Sequence, residues 1–384
     1  MVVGAEERSK VNLRNFLLVN QTQSLFLSLL RAALWGEKLD ASAFVEAKWK
    51  QIFRLADVQT VPSLIVDGMG MLPPESLRMS LDDKLSRLGK MQRMECVNSL
   101  HRSVIVKIDK ALKAEGIQAV FMKGQTTALR YPNPLHRTPG DIDFVVSAED
   151  FDKTMAVMEK IGKVDHDLVH EHHGMAWVDG VTVEPHYKVH NYQRPSTDLA
   201  MQEMFSSVFP DGLVSAEIDG YQVPIFPPTF ESVFLISHMV NHVYEEGLGL
   251  RQVIDYSMFL HACADRIDWV KHDEYLHKMR MERAWRIFTC ICVKFLGLEL
   301  PSQVEPFSYQ EDKWADRMMD DIMKVGNFGR GEYVFRHRGW LDAWRNYRWV
   351  ARRCWKLGFV CKSEARWWMV SKVTRFFWKK AKEG

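Results

Sequence analysis

The chain has no run approaching the roughly 18 consecutive apolar residues that a membrane-spanning helix needs. Its six cysteines, Cys96, Cys263, Cys290, Cys292, Cys354 and Cys361, form no CxxC pair. This argues against a disulfide frame or a thiolate zinc site and for free thiols in a reducing cytoplasm. The start MVVGAEERSK carries acids and is followed by no h-region with a small-residue cleavage site, so no signal peptide is expected. The Walker A sequence is missing, and no Ser-His-Asp or Cys-His set stands out. Gly247-Leu-Gly249 lacks the context of a dinucleotide fingerprint and reads as a helix connection.

What is present is a chain of 384 residues, long enough for two or three domains, with an ordinary 47% of hydrophobic residues. Its net charge of +2 hides an asymmetry. Residues 329–384 hold 15 Lys/Arg against 4 Asp/Glu and 7 of the 13 tryptophans, so the remainder is acidic. Such a tail has partner preferences of its own.

Apolar periodicity predicts one helix from Leu17 to Ala33, a second over Ala41–Leu55 capped by Asp40 or Ser42, and a long one from Ser76 to Glu115 ended by Gly116. The pattern then changes. Ile117–Met122 reads as a buried strand, Gln125–Tyr131 as a short helix stopped by Pro132 and Pro134, and Asp141–Val146 as a second strand. Ser147 and Asp150 resemble a capping box for a helix running to Ile161. Val164–His170 and Gly174–Val178 are β-like. The pair Asp179-Gly180 signals a hairpin into Val181–Lys188, and Asp219-Gly220 signals another. Helical patterns return over Thr229–Tyr244, Leu250–Ala264, Asp268–Met281, Arg283–Leu296 and Gln310–Val325, then over about 338–357 and 363–380.

The chemistry-bearing residues gather in the α/β middle. Asp141 and Asp143, two residues apart on a strand, point to one side and could hold Mg²⁺ against phosphate oxygens, with Mn²⁺ an alternative. On the later strand, alternation puts Glu184 and His186 on a common face, and Glu184 is the candidate third carboxylate. Pro185 lacks a backbone donor, which predicts that Glu184 lies at an edge or a bulge. Lys123-Gly124 ends the first strand just before a helix, offering N–H groups and a point charge to a phosphate. Arg137 is the second cation, and Gly140 lets backbone approach closely beside the aspartates.

This joint pattern of Lys123-Gly124, Tyr131-Pro132, Arg137, Asp141-Ile142-Asp143 and Glu184-Pro185-His186 resembles the nucleotidyltransferase superfamily of the DNA polymerase β type. More narrowly it is similar to a bacterial family of uncharacterised nucleotidyltransferases, over about residues 20–300, including the helix with His238 and His242 followed by Arg251 and Asp255. The resemblance implies an α+β fold, a mixed-sheet core with helical regions at both ends. It also implies metal binding by Asp141 and Asp143, completed by Glu184. The nucleotide would be held by Lys123, Gly124, Arg137, Gly140, His186, Arg251 and Asp255. The expected reaction moves an NMP from an NTP such as ATP to an acceptor hydroxyl or phosphate, releasing pyrophosphate. The alternative is a degenerate site in a nucleotide-binding or membrane-surface protein.

The expected division is a helical region over 1–115, a nucleotidyltransferase core over 116–227, a helical domain over 228–328 closing the cleft, and a basic helical tail over 329–384. His238 and His242 lie one turn apart, but no third ligand is visible, so helix packing is the favoured reading. His170-Glu171-His172-His173 is not HExxH and reads as a solvated turn beside the cleft. In the tail, Trp340, Trp344, Tyr347 and Trp355 interleave with Arg345, Arg348, Arg352, Arg353 and Lys356. That pattern fits aromatic core with solvated arginines. It also fits a 338–382 tail on an anionic membrane at its inner face, and less well nucleic acid. The expected location is the cytoplasm.

Overall fold

Two Asp-Gly pairs set the framework. The computed structural model describes residues 20–165, 173–190, 192–331 and 339–371. Asp179 and Gly180 have φ of 51° and 82°, and Asp219 and Gly220 have φ of 50° and 80°. Positive φ at both central residues makes the tight turn whose twist suits paired strands. The first joins β4 (Met175–Val178) to β5 (Val181–His186), and the second joins β6 (Val214–Ile218) to β7 (Tyr221–Ile225).

With β1 (Val120–Met122), β2 (Ile142–Val145) and β3 (Lys163–Asp165), these strands form one mixed sheet in the order β3-β4-β5-β2-β1-β7-β6. β2 runs antiparallel to β1, with Met122 opposite Asp143, and parallel to β5, with Asp143 opposite Glu184. This register sets the expected acids side by side on neighbouring strands.

The two faces of the sheet differ. One is covered by α4 (Leu81–Ala114) and α6 (Phe151–Ile161), burying Val104, Ile108 and Leu112 against Phe144, Val183 and Val223. Each such aliphatic side chain contributes roughly 1.5–3 kcal/mol on burial. The opposite face places Val120, Met122 and Val145 in a second, larger core. Helices α1 (Gln21–Trp35), α8 (Pro228–Tyr244), α9 (Leu250–Cys263), α11 (Glu282–Leu296) and α12 (Tyr309–Val325) build most of it. Strand alternation puts Asp143 on the same side as Val145, and Glu184 opposite in facing to Val183. The acids therefore lie between the sheet and the larger helical core.

Several boundaries differ from the sequence expectation. The single helix over Ala41–Leu55 is a 3₁₀ turn, Ala41–Phe44, followed by α2 (Trp49–Val58), and Asp40 caps the turn by accepting from the Ser42 N–H. A helix α3 (Pro62–Gly70) was not expected; Gly68 lets it approach α1, where a Cβ would meet the Leu29 carbonyl oxygen at 2.3 Å. The Ser147 hydroxyl does accept from the Asp150 N–H, yet α6 starts only at Phe151. Helix α7 (Pro195–Ser206) carries little signal and was missed. Leu17 and the residues of the expected strand beyond Asp165 lie outside the described residues.

Pro185 does not sit on an edge strand. β5 is interior, between β2 and β4. The Gly174 N–H donates to the Pro185 carbonyl at 2.9 Å, and the reciprocal donor is the one proline lacks. The β4 ladder stops there and resumes as a single bridge between His173 and His186.

The tail is partly core. Helix α13 (Gly339–Leu357) and a helical segment 362–371 bury Val350, Cys354, Leu357 and Trp368 in the larger cluster. Arg353, expected to be solvated, is buried, donating to the Val243 carbonyl and pairing with Asp321 at 2.8 Å. No helix among the described residues is long and apolar enough to cross a membrane.

Candidate active site

The site begins at a strained residue. β1 ends at Met122, and Lys123 takes φ 55° and ψ −156° before the five-residue helix α5 (Gly124–Ala128). Such a conformation costs a non-glycine residue on the order of 1–3 kcal/mol and persists only where surroundings enforce it. It aims the Lys123 ammonium at Asp143 Oδ1, 3.3 Å away. Gly124, also at positive φ, would carry a Cβ only 3.6 Å from the Asp141 carbonyl oxygen, so the turn lies directly against the aspartate loop.

Asp141, Asp143 and Glu184 each offer a carboxylate oxygen within 4.8 Å of the others. Asp143 is buried, while Asp141 and Glu184 reach solvent. Burial first, then the charges of Asp143 and Asp141, push the Glu184 carboxyl up to about 8. Three ionised carboxylates at this spacing repel, and a divalent cation among them removes the penalty. An all-oxygen donor set of this kind fits a hard ion. Burial opposes the Lys123 charge, but Asp143, Asp141 and Glu184 outweigh it and hold its pKa above the usual value.

His186 donates from Nε2 to Asp143 Oδ1 at 3.0 Å and lies 3.7 Å from Glu184 Oε2. Burial, helped by Lys123, drives its pKa down to about 3, so the ring is neutral. His173 was expected in a solvated turn. It is instead buried, with Nε2 3.8 Å from Glu184 Oε2 and its ring 4.9 Å from that of His186. Its partners in that sequence cluster, His170, Glu171 and His172, lie outside the described residues.

Arg137 and Asp255 meet in a way the sequence did not announce. The guanidinium grips the carboxylate at both oxygens, at 2.7 and 2.8 Å, and the Tyr131 hydroxyl donates to the same carboxylate at 2.7 Å. All three are buried. Arg251, on the same helix as Asp255, donates to the Thr138 carbonyl at 3.3 Å; its Nε has no hydrogen-bond partner among the described residues. Burial and the like charge of Arg137 pull its pKa down to about 10. Its NH1 would lie 3.9 Å from a Cβ at Gly140, so this surplus cation borders the aspartate loop.

The loop is braced from behind by α4, whose side chains carried no sequence signal. Asn98 Nδ2 donates to the carbonyls of Leu135 and Arg137 and its oxygen accepts from Gln125, while His101 bonds the Gly140 carbonyl at 2.8 Å. A polar residue on the buried face of a helix was the only available hint, because buried polar atoms need partners. His238 and His242 stand with Nε2 atoms 3.0 Å apart; burial drives both pKa values down, that of His242 to about 3.

Residues 45–297, more than half of the chain, match the family model described as "Uncharacterised nucleotidyltransferase". No curated protein is similar enough to count as a match. Among solved structures, the antibiotic-resistance factor ANT(2'')-Ia is 13% identical, with 48% of this chain and 92% of that chain covered and a TM-score of 0.34. An antigenic nucleotidyltransferase-like protein from Paracoccidioides brasiliensis is 15% identical, with 44% and 75% covered and a TM-score of 0.27.

Proposed function

The chain belongs to this family of uncharacterised nucleotidyltransferases, and on that premise we propose that it moves an NMP from an NTP to an acceptor hydroxyl or phosphate, releasing pyrophosphate. The acceptor oxygen forms the new bond to the α-phosphorus as the bond to the pyrophosphate oxygen breaks. Asp141 and Asp143 would hold Mg²⁺, or Mn²⁺ in its place, and Glu184 completes the ligands or takes the acceptor's proton. When bound, the ion supplies charge neutralisation at the phosphates. Lys123 and the surplus charge of Arg251 receive the triphosphate, and Gly124 and Gly140 let it come close to backbone. Arg137 and Asp255 hold the loop through their mutual pair, and His186 orients Asp143 through its Nε2–H.

The observation that carries this reading is the convergence of Asp141, Asp143 and Glu184 beside Lys123. It is tested by pyrophosphate release with Mg²⁺ and each NTP. Asp141→Asn and Asp143→Asn should each lower turnover by roughly 10³-fold, the several kcal/mol that metal stabilisation supplies. Unchanged turnover in both variants refutes the assignment. NTP and Mg²⁺ binding without pyrophosphate release from any acceptor would favour a nucleotide-binding protein.

A second observation concerns the tail. On α13, Trp344 and Trp355 are exposed, Trp355 at 88%, and helical spacing sets the exposed Arg348 and Arg352 near them. We propose that this face rests on an anionic membrane surface, to which each basic residue contributes roughly 1 kcal/mol. Because the tail fills part of the core, point variants of the full chain are the suitable probe. Trp344→Ser/Trp355→Ser should abolish sedimentation with phosphatidylserine vesicles. Retained sedimentation removes the lipid role, and RNA binding without vesicle binding reassigns the face.

A further inference from the structure

We infer that His173, Glu184 and His186 form a second metal site, distinct in chemistry from the aspartate site, that takes a borderline divalent ion of the Zn²⁺ type. The three side chains each present a ligand atom within 4.8 Å of the others. Their placement is enforced by backbone. Glu184 and His186 are two residues apart on β5 and share a face, and the bridge between His173 and His186 brings the second imidazole across to the first. The geometry is close to what an ion needs. Ligands at about 2.0–2.1 Å in a tetrahedral shell stand about 3.4 Å apart. Glu184 Oε2 lies 3.7 Å from His186 Nε2 and 3.8 Å from His173 Nε2, so contraction by a few tenths of an ångström brings each imidazole to ligand spacing from the carboxylate.

The donor set decides the class of ion. Two imidazoles and one carboxylate suit Zn²⁺ and its first-row neighbours, whereas Mg²⁺ selects oxygen and keeps its water. Three protein ligands leave at least one position for water or an acceptor oxygen, as in catalytic rather than structural zinc sites. Glu184 belongs to both groups, so its carboxylate would bridge the two ion positions.

The site also gives His186 two exclusive states. The 3.0 Å contact of its Nε2 with Asp143 Oδ1 calls for the proton on Nε2. Ligation through Nε2 requires that proton on Nδ1, which ends the bond to Asp143 and leaves Lys123 as that carboxylate's neighbour.

The inference stands on these three side chains and does not need the nucleotidyltransfer reading. Co²⁺ is the probe, added to the full chain with saturating Mg²⁺ present. One equivalent should give the intense visible absorption of a four- or five-coordinate ion. His173→Ala should weaken Co²⁺ binding by more than about 100-fold, since outer-shell partners alone contribute 10–100-fold. His173→Cys should keep the ion and add a thiolate-to-cobalt charge-transfer band, which retains a positive readout if the alanine variant does not fold. Asp141→Asn should lose Mg²⁺-dependent turnover and keep the cobalt spectrum, so the two sites fail separately. A weak octahedral spectrum, or one indifferent to both His173 substitutions, overturns the second site.

Discussion

Two neighbouring charged clusters show opposite electrostatics. Around Arg137, opposite charges are matched: a bidentate guanidinium–carboxylate pair, buried, with a tyrosine hydroxyl on the same carboxylate. Around Asp143, three carboxyls crowd one ammonium, and burial together with the charges of Asp143 and Asp141 pushes Glu184 up to about 8. The matched cluster holds the loop that carries Asp141. The mismatched one leaves three acids in excess over one cation, the arrangement that the proposed function builds on. Charge alone did not separate them in the sequence, where the Arg137–Asp255 pairing was not foreseen.

The contrast can be broken most forcefully at Arg137. Arg137→Met leaves the Asp255 carboxylate buried without its cation, a change that costs about 3–5 kcal/mol. Asp141→Asn removes a repelling charge and should cost nothing measurable in denaturant unfolding. Equal losses in the two variants would erase the distinction between the clusters.

Glu364 separates burial from crowding as the origin of the Glu184 shift. Glu364 in the tail is also buried, and burial raises its carboxyl to about 7, opposed by the Thr197 hydroxyl and the Arg194 charge. A raised carboxyl pKa favours folding below the unfolded value of about 4.5, and that contribution fades as pH rises to about 7. Glu364→Gln escapes the loss, so above pH 7 it should be more stable than the native chain by up to about 3 kcal/mol. At pH 4 the advantage should vanish. Thermal melts at the two pH values decide it, and a pH-independent difference would mean that ionisation of Glu364 is not its source. Mg²⁺ should not affect this difference, because the groups acting on Glu364 are the Thr197 hydroxyl and Arg194, neither of them an acid.

The smallest effect tests the strained turn. Lys123→Gly and Lys123→Ala remove the same charge, and glycine is ordinarily the less stable of the two. At φ 55° the order should invert, with the glycine variant more stable by about 1 kcal/mol. The ordinary order in a denaturant titration would show that the turn relaxes and stores no strain.

Much of the framework was legible because its causes are local. An Asp-Gly pair turns a hairpin through its own two dihedral angles, and both such pairs do so. Gly116 and Gly297 end their helices at φ of 70° and 76° for the same reason. The i, i+2 spacing of Asp141 and Asp143, and of Glu184 and His186, fixes facing within a strand before any partner is known. Helix α7 and the split near Phe44 were missed where apolar periodicity is weak or interrupted.

What only the tertiary structure decided is the choice of partners across long stretches of chain. Arg137 finds Asp255 because α9 packs against the α5 side of the sheet, 118 residues further on. His173 leaves solvent because the β4–β5 register brings it opposite His186. Pro185 lies in the interior of the sheet because β2, far earlier in the chain, pairs on its other side. The sequence by itself determined which residues share a face and where the chain turns, since those follow from backbone geometry over a few residues. Which charges are neutralised and which are left in excess follows from packing between distant elements. That is why Asp141, Asp143 and Glu184 were visible as a pattern, and the histidine pair beside them was not.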